Sequence, residues 1–217
     1  MLYESLSKFI VCIARNNPQG AKLLGTGFVV GEGLIATTMH VTGGDDRNLC
    51  ILPPKYSFFD YQDTSDNQIA FADAKIHAID PIKDICILSI KSPIAPIYDL
   101  TGTDNIFPGS NVSVFGFPHA DFDRFVLTLH QTQVGAKILI DSKGTGIKSK
   151  HIVLNTQARP GQSGGPVFDS NTNNVIGMLI GSYAPGGGGG MSLGGVDPHT
   201  LHQTTHVISA EYIKEMI

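Results

Sequence analysis

Glycine and proline divide this chain into short apolar runs, and this division constrains the fold more than any other feature. The 217 residues include 25 glycines and 12 prolines, while only 16% of the residues are charged. Apolar runs such as Phe9–Ala14 and Ile85–Leu88 are bounded by turn residues. Short runs of this kind predict β-strands and not long helices. The sequence therefore predicts an all-β protein with many turns.

One of these turns, Gly161–Pro166, carries a serine between glycines, and an apolar strand begins after it at Val167. Glycine permits the backbone angles of a tight turn and lets a substrate carbonyl approach the main chain. In that geometry the N–H groups of Gly161 and Ser163 can point at one spot and hold the oxyanion of an acyl-transfer intermediate. The alternative is a glycine-rich hairpin whose serine has no chemical role. The motif therefore needs a base and a group that orients the base.

Candidates for both groups lie earlier in the chain. His40 stands at the end of a predicted strand, and Asp84 directly precedes the apolar strand Ile85–Leu88. Asp80 is a competing orienting group. We prefer Asp84 because only Asp84 is followed at once by an apolar strand, which would bury it behind the histidine. The order His40, Asp84, Ser163 is that of chymotrypsin, and it differs from the orders in subtilisin and the α/β-hydrolases.

With these three motifs in this order, the chain resembles a chymotrypsin-fold serine peptidase, and it is most similar to the HtrA/Deg-type protease domain. Residues 100–118 resemble the inter-barrel segment of that family, and residues 205–213 resemble its last strand and closing helix. The resemblance implies a serine endopeptidase that cleaves protein substrates through an acyl-enzyme, without a PDZ domain. A catalytically silent binding or scaffolding module on the same fold is the alternative.

The resemblance also implies the architecture: two six-stranded antiparallel β-barrels with a short C-terminal helix. We place the N-terminal barrel, which carries His and Asp, at residues 1–95, and the inter-barrel crossover at residues 96–110. The C-terminal barrel, which carries Ser, then covers residues 111–217. Proline cannot donate to a sheet ladder, so the proline-rich crossover should run extended and unpaired.

Two segments of the chain allow two interpretations, and two features of the second barrel give specific predictions. The aromatic residues between 56 and 61 form either a wall for substrate or packing at the rim of the site. The glycine-rich residues 182–203 form either an active-site loop or a plain surface excursion. In the second barrel we predict separate strands at 125–132 and 137–140, and we expect Ser209 to cap the last helix.

The primary specificity pocket is predicted to be uncharged. In this fold the segment before the nucleophile lines that pocket, and a trypsin-type preference needs an aspartate at its base. The matching position, six residues before Ser163, is Gln157, and residues 142–168 contain no Asp or Glu. The facing wall should come from Ile180, Gly181 and Ser182, with Thr204 or His206 behind. A buried Lys or Arg would find no partner charge. We therefore expect small to medium uncharged side chains before the scissile bond, unless Asp197 folds into the pocket.

Gln162 precedes the proposed nucleophile at a position that is an aspartate in the digestive members of this fold. In those members the aspartate pairs with a newly cleaved N-terminal amine. An uncharged side chain here makes activation by N-terminal cleavage unexpected. Ordering of the oxyanion loop by substrate is the alternative that we predict.

Charge and cysteine content bear on partners and location. A net charge of −4 gives no reason to expect nucleic acid or an anionic membrane as a partner. No apolar run approaches transmembrane length, so we expect a cytoplasmic protein, or a periplasmic or secreted one whose export signal was removed. Three cysteines cannot all pair, and free thiols favour a reducing compartment. The trimer contacts of the family come from an N-terminal extension that is barely present here, so we expect a monomer.

A histidine cluster raises the question of a metal. On a helix the spacing of His199, His202 and His206 would gather three imidazoles, as in some zinc sites. The family resemblance places the end of this segment in a strand, which would separate the rings. We therefore expect no metal and no cofactor.

Overall fold

The computed structural model describes residues 2–66, 68–141, 146–183 and 204–217. These residues form twelve strands, three short α-helices and one 3-10 turn. In chain order the elements are α1 (Leu2–Ser7), β1 (Ile10–Asn17), β2 (Gly20–Gly31), β3 (Leu34–Thr38), α2 (Met39–Thr42), β4 (Leu49–Leu52), β5 (Ala72–Asp80), β6 (Ile85–Ile90), β7 (Asn111–Gly116), the 3-10 turn (Ala120–Phe122), β8 (Thr128–Asp141), β9 (Lys148–Leu154), β10 (Pro166–Asp169), β11 (Val175–Tyr183), β12 (Thr204–Ser209) and α3 (Glu211–Lys214).

The strands close into two barrels. The first has the strand order β1-β2-β3-β6-β5-β4, and the second has the order β10-β11-β12-β9-β8-β7. Neighbouring strands pair antiparallel in both barrels. The predicted all-β class, with two six-stranded antiparallel barrels and a short C-terminal helix, is confirmed.

The hydrophobic core continues from one barrel into the other. One buried cluster combines residues of the first barrel, such as Phe28, with residues of the second, such as Phe115 and Phe168. Tyr98, from the crossover, packs edge-on against Phe168 with ring centres 5.1 Å apart, and its hydroxyl donates to the Val29 carbonyl oxygen at 2.7 Å. Edge-to-face aromatic pairs add about 0.5–1.5 kcal/mol each beyond their buried area. The crossover therefore holds the two barrels against each other, which fixes how residues from the two halves of the chain meet.

Two local predictions in the second barrel are wrong. Residues 128–141 form one strand and not two. Its pairing with β9 shifts register between Val134 and Ala136, and the strand continues past this irregularity. Gly135 permits this, since a side chain there would collide with Asn155 on the neighbouring strand segment. Ser209 does not cap α3: it is the buried last residue of β12, and its hydroxyl accepts the N–H of Thr103 at 3.0 Å.

The segments with two interpretations are only partly decided. Phe58 packs edge-on against Phe115 with ring centres 5.5 Å apart, whereas Phe59 and Tyr61 are exposed. The aromatic group thus divides between core packing and surface. Residues 184–203, which hold the glycine-rich stretch, lie outside the described residues, so both interpretations of that stretch stay open. Among the helices of the described ranges, none is long and apolar enough to cross a membrane.

Candidate active site

His40 lies in a short helical turn and not at the end of a strand as predicted. Strand β3 ends at Thr38, and α2 places His40 one residue into a single helical turn. Gly43 ends this turn with a φ of +66°, in the left-handed region that glycine adopts without penalty. The strand pattern continued to His40 in the sequence because the residues before it are apolar or β-branched. In the sequence, Gly43 is the signal that indicates the helical turn.

Asp84 fixes His40 through main chain and side chain. Its carboxylate accepts the backbone N–H of His40 at 2.9 Å and the ring Nδ1 at 2.5 Å, and its carbonyl oxygen accepts the N–H of Met39 at 3.0 Å. An ionised carboxylate only accepts hydrogen bonds, so Nδ1 carries the ring proton and Nε2 is left as an acceptor. Asp84 has a φ of +57°, which is uncommon for a residue with a side chain and costs about 1–3 kcal/mol.

Asp80 has a different partner. One of its carboxylate oxygens accepts the N–H groups of Ile82 and Lys83, and the other accepts Lys83 Nζ at 2.6 Å. These bonds close the turn that leads from β5 to Asp84. The structure therefore pairs His40 with Asp84, while Asp80 shapes the turn in front of it.

Two amides of the turn that carries Ser163 have no hydrogen-bond partner among the described residues. The N–H of Gln162 donates to the Arg159 carbonyl oxygen at 3.1 Å, and Gly161 has a φ of +88°, as a type II turn with proline at its second position requires. The Pro160 carbonyl oxygen accepts the N–H of His119 at 2.6 Å. The C=O and N–H of a trans peptide point in opposite directions, so the Gly161 N–H points away from His119. Within the part of the chain that the structure describes, neither the Gly161 nor the Ser163 amide donates to another residue.

The Ser163 hydroxyl does not contact His40 in this structure. It donates to the Ile180 carbonyl oxygen at 3.0 Å. Across the described ranges, no hydrogen bond joins Ser163 Oγ to the His40 ring. A rotation about the first side-chain torsion of Ser163 is needed to turn the hydroxyl away from Ile180.

Strand β2 brings the two halves of the site together. A side chain at Gly25 would lie 2.7 Å from the Val41 side chain and 3.2 Å from the Ser163 carbonyl oxygen, so the segments that carry His40 and Ser163 meet at this glycine. The next residue, Thr26, is fully buried, and its N–H donates to the Ser163 carbonyl oxygen at 2.9 Å. Its hydroxyl donates to the Gly161 carbonyl oxygen at 2.8 Å. Sequence reasoning missed Thr26, and a small polar residue between two glycines is the signal that would have indicated it.

The side chain of Gln162 stabilises the nucleophile turn by a hydrogen bond within it. Its side chain is buried, and Oε1 accepts the N–H of Arg159 at 2.7 Å. A neutral amide thus stabilises the turn without an ion pair to a new N-terminus. This contact could not be read from the sequence, because it depends on the fold of the turn itself.

The residues predicted for the specificity pocket are only partly adjacent. Gln157 lies between Thr156 and Ala158, and both of these residues bond to Thr205. The Thr205 hydroxyl accepts the N–H of Ala158 and donates to the carbonyl oxygen of Thr156, each at 2.8 Å. Among the described residues, no atom lies within 4 Å of where a side chain at Gly181 would begin. The half-buried Ile180 precedes Gly181 on β11. The side chain of Ser182 lies outside the described residues.

His206 lies opposite Gly181 in the register, so its side chain projects from the same face of the sheet as the space beside Gly181. Side chains alternate along a strand, and Thr205 is the one that bonds to the segment before Ser163. On the other face, burial lowers the pKa of His151, and the charge of His206 adds to this effect. His206 therefore lies on the face of Gly181 and also neighbours His151, and its place in the pocket wall stays a prediction.

The histidine cluster cannot be judged, because His199 and His202 lie outside the described residues. In the described ranges, no group of three or more His, Cys, Asp or Glu side chains is placed to hold a metal ion.

Sequence comparison finds relatives among bacterial proteases. A probable periplasmic serine endoprotease, DegP-like, from Pseudomonas fulva (strain 12-X) is 27% identical over 173 residues, which is 77% of this chain and 31% of that protein. A protein of the same description from Marinomonas sp. (strain MWYL1) is 27% identical over 166 residues, covering 76% of this chain and 31% of the relative. The chain thus spans about a third of the length of the curated relatives that it matches.

Structure comparison gives the same fold. The MamO protease domain from Magnetospirillum magneticum, in its apo form, superposes with a TM-score of 0.70 at 16% identity, covering 99% of this chain and 98% of that one. Deg5 superposes with a TM-score of 0.67 at 19% identity, covering 99% and 90% of the two chains. The trypsin-like peptidase domain family matches residues 25–178, which is more than half of the chain and contains all three candidate catalytic residues. This protein therefore belongs to the family of trypsin-like peptidase domains.

Proposed function

We propose that this protein is a serine endopeptidase that hydrolyses peptide bonds of protein substrates through a His40–Asp84–Ser163 triad. The observation that carries the proposal is the pair of hydrogen bonds that the Asp84 carboxylate accepts from His40, beside a serine turn with two N–H groups that donate to none of the described residues. The carboxylate fixes the tautomer that leaves Nε2 as a base.

The first half of the reaction acylates Ser163. The hydroxyl rotates from Ile180 toward His40, transfers its proton to Nε2, and Oγ attacks the carbonyl carbon of the substrate. The carbonyl oxygen becomes an oxyanion and accepts the N–H groups of Gly161 and Ser163. When the intermediate collapses, the C–N bond breaks and the leaving amine takes the proton from Nε2. The Asp84 carboxylate stabilises the imidazolium throughout.

The second half releases the acyl group. A water molecule gives a proton to Nε2 and attacks the acyl carbon, and a second oxyanion forms in the same site. Its collapse breaks the bond to Ser163 Oγ, which recovers the proton from His40. The enzyme returns to its starting state with a carboxylic acid as the second product.

We assign the primary pocket to Gln157, Ile180, Gly181 and Thr205, with Ser182 and His206 retained from the sequence prediction. The Thr205 hydroxyl holds the backbone on both sides of Gln157, which fixes the floor of the pocket. Its described walls carry amide, hydroxyl and apolar groups and no carboxylate. The pocket is therefore suited to small or medium uncharged side chains, in agreement with the cost of burying an unpaired cation.

We propose a periplasmic location, following the names of the relatives. Those names do not support the cytoplasmic location expected from the sequence. The argument from free thiols loses its force because Cys12, Cys50 and Cys86 are all buried. Thiols inside a packed core are protected from disulfide exchange, which depends on access.

The proposed nucleophile is tested with a fluorophosphonate probe, which forms a covalent bond to an activated serine. We expect labelling of the unchanged protein and none of Ser163→Ala, His40→Ala or phosphonate-pretreated samples. Ser170→Ala, in the turn after β10, is the matched control and should label normally. Triad members act as a unit, so peptide hydrolysis should fall by about 10⁴–10⁶ in either Ser163→Ala or His40→Ala. Labelling that persists in His40→Ala at the original rate would contradict the role of His40 as the base, and absence of labelling in the unchanged protein would favour the scaffolding alternative.

A further inference from the structure

Helix α3 carries a tyrosine that joins the two barrels behind the candidate active site. The helix is attached to the second barrel: the Ala210 N–H donates to the Ile176 carbonyl oxygen of β11 at 3.0 Å, and Ile213 is fully buried. The hydroxyl of Tyr212, in this helix, accepts the backbone N–H of Lys150 on β9 at 3.0 Å. Tyr212 is therefore held to the second barrel both through its helix and through its hydroxyl.

The ring of Tyr212 contacts a lysine of the first barrel. Lys83 Nζ lies 5.0 Å from the ring centre and 2.6 Å from a carboxylate oxygen of Asp80. The side chains of this ion pair are only 19% and 22% exposed. A cation is attracted to the face of an aromatic ring, and the attraction grows as water is excluded. Because the ring occupies a place beside Nζ that water would otherwise take, it also strengthens the attraction between Lys83 and Asp80.

The pair of Lys83 and Asp80 fixes the turn that ends at Asp84. The second carboxylate oxygen of Asp80 accepts the N–H groups of Ile82 and Lys83 at 2.9 and 3.0 Å. Asp84 follows with a φ of +57°, and a residue with a side chain keeps such a backbone only where its surroundings hold it. From this backbone the Asp84 carboxylate reaches His40. A looser turn would let Asp84 relax, and its carboxylate would move away from His40.

We propose that Tyr212 acts through Lys83 as a positioning residue, which holds Asp84 in its hydrogen bonds to the histidine of the site. The inference rests on the proposed function, since it assigns a supporting role in the same triad. Tyr212 belongs to the barrel that supplies the nucleophile, whereas Asp84 belongs to the other one. The second barrel thus sets the position of a carboxylate that it does not carry.

Kinetics of variants at residue 212 test this role. Tyr212→Leu keeps an apolar side chain and removes the ring, so kcat for a peptide substrate should fall about fivefold, with KM unchanged because the base is affected and not substrate binding. Tyr212→Phe keeps the ring over Lys83 and should retain kcat within about twofold. Phe107→Leu is the matched control. It removes a ring whose centre lies 5.4 Å from Lys137 Nζ, in a pair that includes no residue of the turn before Asp84, and kcat should not change.

A double substitution tests whether Tyr212 acts through the lysine. Lys83→Met removes the cation, so adding Tyr212→Leu to it should cause no further fall in kcat. If Tyr212→Leu does not fold, as judged by thermal unfolding, Tyr212→Met fills the same space with a flexible apolar side chain and takes its place. Unchanged kcat in the folded variant would overturn the proposal, as would losses that add in the double variant.

The proton between His40 Nδ1 and Asp84 gives a measurement that does not require catalysis. The two groups are 2.5 Å apart, and a proton in so short a charge-assisted bond gives an NMR signal far downfield. This signal should weaken or move upfield in Tyr212→Leu, and it should stay unchanged in Tyr212→Phe and Phe107→Leu. An unchanged signal in folded Tyr212→Leu would overturn the proposal. Absence of fluorophosphonate labelling in the unchanged protein would overturn the proposed function instead, while the NMR signal still decides the role of Tyr212.

Discussion

Gly161→Ala tests whether the shape of the nucleophile turn supplies the oxyanion donor. A side chain at residue 161 would begin 2.7 Å from the Ala120 backbone nitrogen and would collide with the Phe117 carbonyl oxygen. Both obstacles are backbone atoms, which cannot rotate away as a side chain would. The φ of +88° is also unfavourable for alanine. The turn should relieve both problems by rotating the Pro160–Gly161 peptide, which turns the residue 161 N–H away from the oxyanion.

The expected loss can be worked out in two parts. Removal of one oxyanion donor lowers kcat by about 10²–10³. Placing alanine in the left-handed region costs about 1–2 kcal/mol. In a protein of this size, that cost lowers Tm by about 2–8 °C. The rotation also breaks the 2.6 Å bond from the His119 N–H to the Pro160 carbonyl oxygen, so the stability loss should lie at the upper end.

Gly109→Ala is the matched control for the backbone penalty. Gly109 has a φ of +92°, and no atom of the described residues lies within 4 Å of where its side chain would begin. Alanine there carries the same conformational penalty without the collision and far from the turn. Measured by thermal unfolding and by kcat on an ester and a peptide substrate, both variants should lose stability, but only Gly161→Ala should lose activity.

A folded Gly161→Ala protein with kcat within threefold of the unchanged enzyme would refute this reasoning. Thr26→Val gives a second measurement in case Gly161→Ala does not fold. It preserves the shape of a buried side chain but removes the hydroxyl that donates to the Gly161 carbonyl oxygen and accepts the Phe117 N–H. We expect a kcat loss of about tenfold in Thr26→Val, since the turn is loosened but the Gly161 amide is kept.

Two further predictions concern the turn before Asp84 and the pH dependence of stability. Asp80→Ala removes the acceptor of two backbone N–H groups and of Lys83, so it should lower kcat about tenfold by displacing Asp84, with KM unchanged and with recovery in Asp80→Asn. Asp169 stands at the start of a similar turn after β10, so Asp169→Ala should lower Tm but not kcat. Equal kcat losses in Asp80→Ala and Asp169→Ala would contradict the role of Asp80 in positioning Asp84. Burial lowers the pKa of His151 and His206, so the unfolded chain binds protons that the folded chain does not, and the free energy of unfolding should fall as the pH drops below about 6.5. Urea unfolding at pH 8 and pH 5 measures this fall, which should be smaller in His151→Gln, and an unchanged pH dependence in that variant would contradict the assignment.

The architecture was predictable because strands and turns follow local patterns. Apolar runs bounded by glycine and proline predicted the all-β class, and the order of three short motifs indicated the family, whose resemblance implied the two barrels. The local sequence pattern gave a wrong prediction at two positions where a glycine allows the backbone to depart from that pattern. Gly135 permits one strand to continue where two were predicted, and Gly43 allows a helical turn in a segment that was interpreted as strand.

The hydrogen bonds that hold separate segments of the fold together were not predictable, because they join residues distant in sequence. Thr205 bonds to residues 156 and 158 across 47 or more positions, and Gln62 makes two 2.8 Å hydrogen bonds to the backbone of Leu127. Neither side chain differs in type from the many polar residues of ordinary loops. Their roles arise from the packing of the barrels, and a pattern within one segment contains no information about it.

The hydrogen bond between Thr26 and Gly161 has a consequence for how the protein is made. The two residues are 135 positions apart, and synthesis at about 5–20 residues per second separates their appearance by roughly 7–27 s. Until the second barrel has been translated, β2 has no nucleophile turn to hold, and His40 and Asp84 are paired without a serine. If the proposed function is correct, a nascent chain cannot attack its neighbours on the polysome before residue 163 has been translated and the second barrel has folded.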